Sequence, residues 1–188
     1  MKTIYKILLF IYFITLCLAC FNQFQFSVMI SLLLLIPLYF LHNHLYRIEY
    51  LVYIYFTQVL GTVCRFYQYP YYDKVMHFFS GMVFVMIVYV LFQKEFRSKP
   101  LLFLFLNSME ALIAFLWEVF EYSGLIFFNY DASRHYTTGV HDTMQDMIIS
   151  FIGGLIITFL IYKYPKYISY LYKQPQDNLE EVSQQEHI

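Results

Sequence analysis

Residues Tyr71–Gly81 read "YYDKVMHFFSG". Asp73, Lys74 and His77 stand at the mouth of a run that continues as "MVFVMIVYVLF" to Phe92. A polar start that opens a mostly apolar segment of about twenty residues (73–92) matches a helix that crosses about 30 Å of hydrocarbon. The reading of this stretch decides which solvent surrounds the fold.

Composition answers that question for the rest of the chain. Of 188 residues, 60% are hydrophobic and 13% charged, and the mean hydropathy is +0.54. A water-soluble domain of this length leaves too much of its surface exposed to hide so many apolar side chains. The expected fold class is therefore all-α: a polytopic membrane bundle of about six transmembrane helices, forming one domain over residues 1–172. A net charge of −1 carries no sign of nucleic-acid binding. Aromatic residues, at 22%, suit helices facing lipid and the interface. Cys17, Cys20 and Cys64 have no disulfide or zinc spacing and read as small core residues.

Six apolar segments fit the required length, roughly 4–21, 26–41, 48–66, 73–92, 100–122 and 143–164. Pro37 predicts a kink near the end of the second. The start, "MKTIYKILLFIYFITLCLAC", reads either as a retained first span or as a signal peptide; both leave the other five spans facing the same way. The tail "KQPQDNLEEVSQQEHI" (173–188) is polar and acidic, and is expected to be disordered.

Basic residues give the orientation. With the N-terminus inside, the cytoplasmic segments hold Lys2, Lys6, Arg47, Lys94, Arg97, Lys99, Lys163, Lys166 and Lys173, against Arg65, Lys74 and Arg134 outside. Both termini are thus expected in the cytoplasm, and "YYDKVMHFFSG" opens on the outer face.

Three helix ends meet on that face. The fourth span starts with Asp73 and His77, the fifth finishes with Glu118 and Glu121, and the sixth starts with His141, Asp142 and Asp146. Spacings of three or four residues put each group on one side of its helix. Asp73 and Asp142 also suit a helix start, where the dipole favours anions. Glu118 and Glu121 sit in a last turn, where it does not. Gathering such groups costs free energy unless a proton, a cation or a basic partner compensates. A divalent metal held by His and carboxylates is one solution; a mutually hydrogen-bonded structural network is the other.

Glu110 lies eleven residues before Glu121, on the same face and about 16 Å deeper, with Asn107 beyond it. It reads either as an acid at the base of a polar pocket or as a protonated glutamate bonded to a neighbouring helix. Ser80, Gly81, Ser150, Gly153 and Gly154 predict close packing of the fourth and sixth spans. Trp117, the only tryptophan, reads as an interface anchor. The segment "SGLIFFNYDASRHYTTGV" (123–140) is expected to be a loop that roofs the pocket. Its Arg134 suits a phosphate or carboxylate, or is simply solvated.

The order "DKVMH", "EVFE" and "GVHDTMQDMIISFIGG" (73–77, 118–121 and 139–154) resembles the YjdF-like family of small bacterial inner-membrane proteins. More distantly it is similar to VanZ-like proteins, which carry a Gln or similar group where Glu121 stands. The resemblance covers about residues 71–154 and points to Asp73, Lys74, His77, Glu118, Glu121, Asp142 and Asp146. His141 has no clear place in the pattern. The resemblance implies an envelope protein in the bacterial inner membrane, without naming a reaction.

The expectation that joins these readings is a metal-dependent membrane hydrolase or transferase acting on a lipid or other envelope substrate. His77, Glu118, Glu121, Asp146 and His141 would hold a divalent ion; Asp73 would orient His77 or join the ligands, and Asp142 would act as base. Lys74 and Arg134 would hold an anionic head group. No serine or cysteine nucleophile motif competes. The alternatives are a transporter of a proton, cation or small solute, and a non-catalytic envelope resistance or partner protein.

Overall fold

The computed structural model describes residues 2–21, 25–41, 43–132 and 137–165. The tail expected to be disordered, Arg134, and the basic residues Lys166 and Lys173 lie outside the described residues.

The described residues are helical and contain no strand. The order is α1 (Lys2–Phe21), α2 (Gln25–Leu33), α3 (Pro37–Phe40) and α4 (His44–Ile54), which runs into a π-helix (Tyr55–Val63). A 3-10 turn (Phe66–Gln68) precedes α5 (Tyr72–Phe92), another (Gln93–Glu95) follows it, and α6 (Lys99–Phe128) and α7 (Val140–Lys163) complete the order.

Three helical segments, Tyr72–Glu95, Lys99–Phe128 and Val140–Lys163, are long and apolar enough to cross a membrane. They correspond to the last three expected segments. Thr3–Leu18 and Val28–Phe40 are apolar but shorter, and the segment expected at 48–66 is shared between α4 and the π-helix. The outer surface is greasy: Phe10, Leu104 and Phe127 are 66%, 62% and 76% exposed. Such a surface is stable against lipid and unstable against water.

Pro37 breaks the second segment more sharply than a kink. Residues 34–36 form a turn, and Pro37 restarts the helix at its first position, where a missing N–H costs nothing. Backbone groups freed within lipid must find partners. The Tyr50 hydroxyl donates to the Leu34 carbonyl at 2.7 Å, and the Tyr12 hydroxyl donates to the Ser31 carbonyl at 2.9 Å. Two buried tyrosines thus hold α1 and α4 against the broken segment. Cys17 and Cys64 are exposed, which corrects their reading as core residues; in an apolar exterior a thiol is as well placed outside as in.

α5 and α7 pack with almost no gap. A Cβ on Gly81 would land on the Ser150 carbonyl, and one on Gly153 would land on the Phe78 carbonyl. The small residues of both helices therefore let the backbones touch, as their spacing predicts. This brings the first turns of α5 and α7 side by side.

α6 is longer than expected. It runs six residues past Tyr122 to Phe128 and ends at Asn129 in the left-handed region, with φ of 52°, a conformation that asparagine tolerates.

Candidate functional site

The acid-rich ends of α5, α6 and α7 converge, as the motif spacing predicts. On α5, Asp73 and His77 are one turn apart, with Nε2 of His77 3.6 Å from Asp73 Oδ1. The same nitrogen is 3.8 Å from Oδ1 of Asp146 on α7. One donor atom from each of Asp73, His77 and Asp146 can be chosen so that all three lie within 4.8 Å of one another. Two helices thus supply a histidine and two carboxylates to one point.

Among the described residues, Lys74 supplies the nearest positive charge. Its ammonium donates to Asp142 Oδ1 at 2.6 Å and to Asp146 Oδ1 at 2.7 Å. Both aspartates are buried, so the lysine offsets charge that would be costly alone. Lys74, expected to meet an anionic head group, is engaged inside the protein, and so is Asp142, expected as a base. Asp146 shares one oxygen between Lys74 and His77.

α6 adds two glutamates on the same side. Glu118 is buried and hydrogen-bonded to Thr143 of α7, while its Oε2 has no hydrogen-bond partner. Glu121 accepts a hydrogen bond from the Trp117 indole N–H at 2.9 Å. Trp117 therefore turns inward to the site, correcting its reading as an interface anchor. His141 is exposed and bonds Gln145 one turn further along α7; it stands outside the group, because its position points away from α5. Among the described residues, five carboxylates converge here, with one lysine and one histidine facing them.

The group opens into a cavity of about 230 Å³. Asp73, His77, Glu121 and Asp131 line its polar part; Ile30, Leu34, Met76, Phe84 and Ile113 line its apolar part. Of the stretch 123–140 expected as a roofing loop, residues 123–128 are instead the end of α6, and Tyr130, Asp131 and Ala132 line the cavity. The far wall comes from α2 and the π-helix, through Thr57, Gln58 and Thr62. π-Helical geometry is rare and concentrates at functional sites; no sequence motif announces it here. Tyr67, in the 3-10 turn, also lines the cavity. Desolvation, with Tyr53, Asp73 and Glu121 nearby, pushes its phenol well above the ordinary range, so it faces the acids as a neutral donor.

At the base of the cavity, Ser80 and Ser150 lead to Glu110. Ser150 Oγ donates to Glu110 Oε1 at 2.7 Å. Glu110 is thus bonded to a neighbouring helix, as one of its two readings has it, and it is not among the residues that line the cavity.

Apolar helices of membrane-crossing length and a shared acid-rich end define a helical membrane protein with an internal polar site. Over residues 1–167 the chain matches the family described as "Predicted membrane protein (DUF2238)", and it belongs to that family. The YjdF-like family named from the motifs is this same family. No curated protein and no solved structure matches the chain.

Proposed function

We propose that the chain is a divalent-metal-dependent membrane enzyme, a hydrolase or transferase acting on an amphipathic envelope substrate from the outer side of the bacterial inner membrane. The observation that carries this reading is the meeting of Asp73, His77 and Asp146 within 4.8 Å, beside a cavity that Asp73 and His77 line. Two carboxylates and an imidazole suit a divalent ion of intermediate hardness. A bound ion would polarise a phosphoryl or acyl oxygen and acidify a water.

The chain's own groups have separate tasks. Asp73, His77 and Asp146 hold the ion, and Lys74 fixes Asp146 from behind. Glu121, which lines the cavity, is better placed as a base than Asp142, whose Oδ1 is engaged by Lys74. Trp117 orients Glu121 at the cavity wall. The apolar residues of the cavity take the greasy part of the substrate. The reading takes six spans from the six apolar segments and, from nine basic residues on one side against three on the other, both termini in the cytoplasm and the cavity outside.

Metal analysis of the purified protein tests this reading. One equivalent of divalent metal in the wild type, lost in Asp146→Asn, supports it. A metal-free protein that binds no divalent ion in titration ends it, and leaves the Lys74-centred ion pairs as a structural network.

A further inference from the structure

The π-helix gives the large cavity a wall that the metal group does not use. At its end the Cys64 N–H reaches the Val59 carbonyl, five residues back, at 2.9 Å. In an α-helix Thr57 and Thr62, five residues apart, would stand roughly 140° from each other around the axis. The wider π-turn brings Thr57, Gln58 and Thr62 to one wall of the cavity.

Gln58 is the residue of interest on that wall. It is 6% exposed, yet it lines the cavity. Ser31 of α2 donates its hydroxyl to Gln58 Oε1 at 3.0 Å, and Ser31 is itself buried and fixed by Tyr12, whose hydroxyl donates to the Ser31 carbonyl. With Oε1 held from behind, Nε2 is the polar atom that Gln58 turns to the cavity. Thr57 spends its hydroxyl on the Ile54 carbonyl at 3.2 Å. An amide N–H in so enclosed a place costs free energy until an acceptor meets it. The position of the amide says where that acceptor lies. Ile30, next to Ser31, and Leu34, three residues on, line the apolar part of the cavity, so Nε2 stands where the polar lining gives way to the apolar one.

Among the described residues, no lysine or arginine lines this cavity. An anionic oxygen draws charged donors; a neutral amide N–H beside an apolar surface suits a neutral oxygen. We propose that the substrate is an acyl lipid, whose ester or amide carbonyl accepts a hydrogen bond from Gln58 Nε2 while its chain lies along Ile30, Leu34 and Ile113. A carbonyl is the acceptor that such a lipid carries at the junction of head and chain, which is where the cavity changes character. Gln58 thus measures the linkage, Ser31 positions the amide, and the head group is left toward Asp73, His77 and Glu121. The proposal rests on the enzyme reading in taking this cavity as the place where the substrate enters, and it adds the class of lipid.

Three single-chain glycerol lipids of equal chain length, joined through an ester, an amide or an ether, provide the test. Each is titrated into the full chain in a maltoside detergent, and binding is read from the fluorescence of Trp117, the only tryptophan and a residue of the cavity wall. A chelator in every titration keeps the result independent of metal binding, so failure of the metal site and failure of this proposal are separate results. The expected outcome is that the ester or the amide lipid binds roughly three- to tenfold more tightly than the ether lipid, as one neutral hydrogen bond allows; the tighter of the two names the linkage. Gln58→Met, similar in length and without a donor, should bind all three alike, with the wild-type affinity for the ether lipid. A wild type that binds the three lipids equally overturns the proposal without any variant. So does a Gln58→Met protein that keeps the carbonyl preference, or one that loses the ether lipid as well, which would make Gln58 a structural residue.

Discussion

The Lys74 ammonium lies 2.7 Å from Asp146 Oδ1, tying the first turn of α5 to the second turn of α7. The same ammonium also holds Asp142, so one side chain balances two buried acids at the helix pair that builds the site.

Removing that ammonium should destabilise the protein sharply. Lys74→Met leaves Asp142 and Asp146 buried beside Asp73 without their counter-charge. A broken buried pair costs roughly 3–5 kcal/mol. The lower figure, about 3 kcal/mol, applies here, because 16% of the Lys74 side chain remains exposed. Thermal unfolding in detergent should show a marked fall in Tm, and adding Asp142→Asn should restore part of it. An unchanged Tm for Lys74→Met would contradict the pairing.

The two histidines of the acid-rich end should behave differently. His77→Ala removes a proposed ligand and should weaken divalent-metal binding by more than about 100-fold, since even the supporting partners of ligands are worth 10- to 100-fold. His141→Ala should leave affinity unchanged, because His141 is exposed and bonded to Gln145. Isothermal titration with a series of divalent ions separates them; equal losses would place the metal elsewhere.

Gly81→Ala should separate α5 from α7. Its methyl would meet the Ser150 carbonyl, a backbone atom that cannot swing away, whereas a methyl on Gly61 would meet the Tyr67 ring. Overpacking costs about 1–3 kcal/mol, and Gly81→Ala belongs at the upper end. Gly61→Ala should be milder, as a ring can shift. Unfolding midpoints of the two variants, compared in one detergent, test the order.

Tyr67 should give the protein an alkaline weakness. Its folded phenol ionises well above the ordinary range, while the unfolded phenol ionises near about 10. The stability it contributes is therefore complete below about pH 10 and is lost as pH rises toward the folded value. Tyr67→Phe should flatten the fall in Tm measured from pH 9 to 11. A parallel fall in both proteins would remove Tyr67 as the cause.

Much of the site was legible because helical spacing places residues on a face before any coordinates exist. The four-residue steps from Asp73 to His77 and from Asp142 to Asp146 put each pair on one side of its helix, and the small residues of α5 and α7 foretold the close contact. What crosses between helices was not legible. Nothing in "DKVMH" says that Lys74 turns to α7 rather than to solvent, nor does spacing along α6 say that Trp117 bonds Glu121. The exposure of Cys17 and Cys64 was equally hidden, since hydropathy cannot distinguish a lipid-facing side from a core-facing one. The break before Pro37 was foreseen as a bend, but the tyrosines that serve its freed carbonyls come from distant elements. The π-helix of 55–63 has no local signature at all.

The thirty residues of α6 measure about 45 Å along the axis, half as long again as the hydrocarbon layer they cross. Even a steep lean leaves a turn or more standing among the phospholipid head groups. Ile126, Phe127 and Phe128 of its last turn are all exposed, and such apolar side chains suit the boundary where lipid tails give way to head groups. Bilayers of different thickness would change how far that turn stands out of the lipid tails, so the depth of the acid-rich end would follow membrane composition.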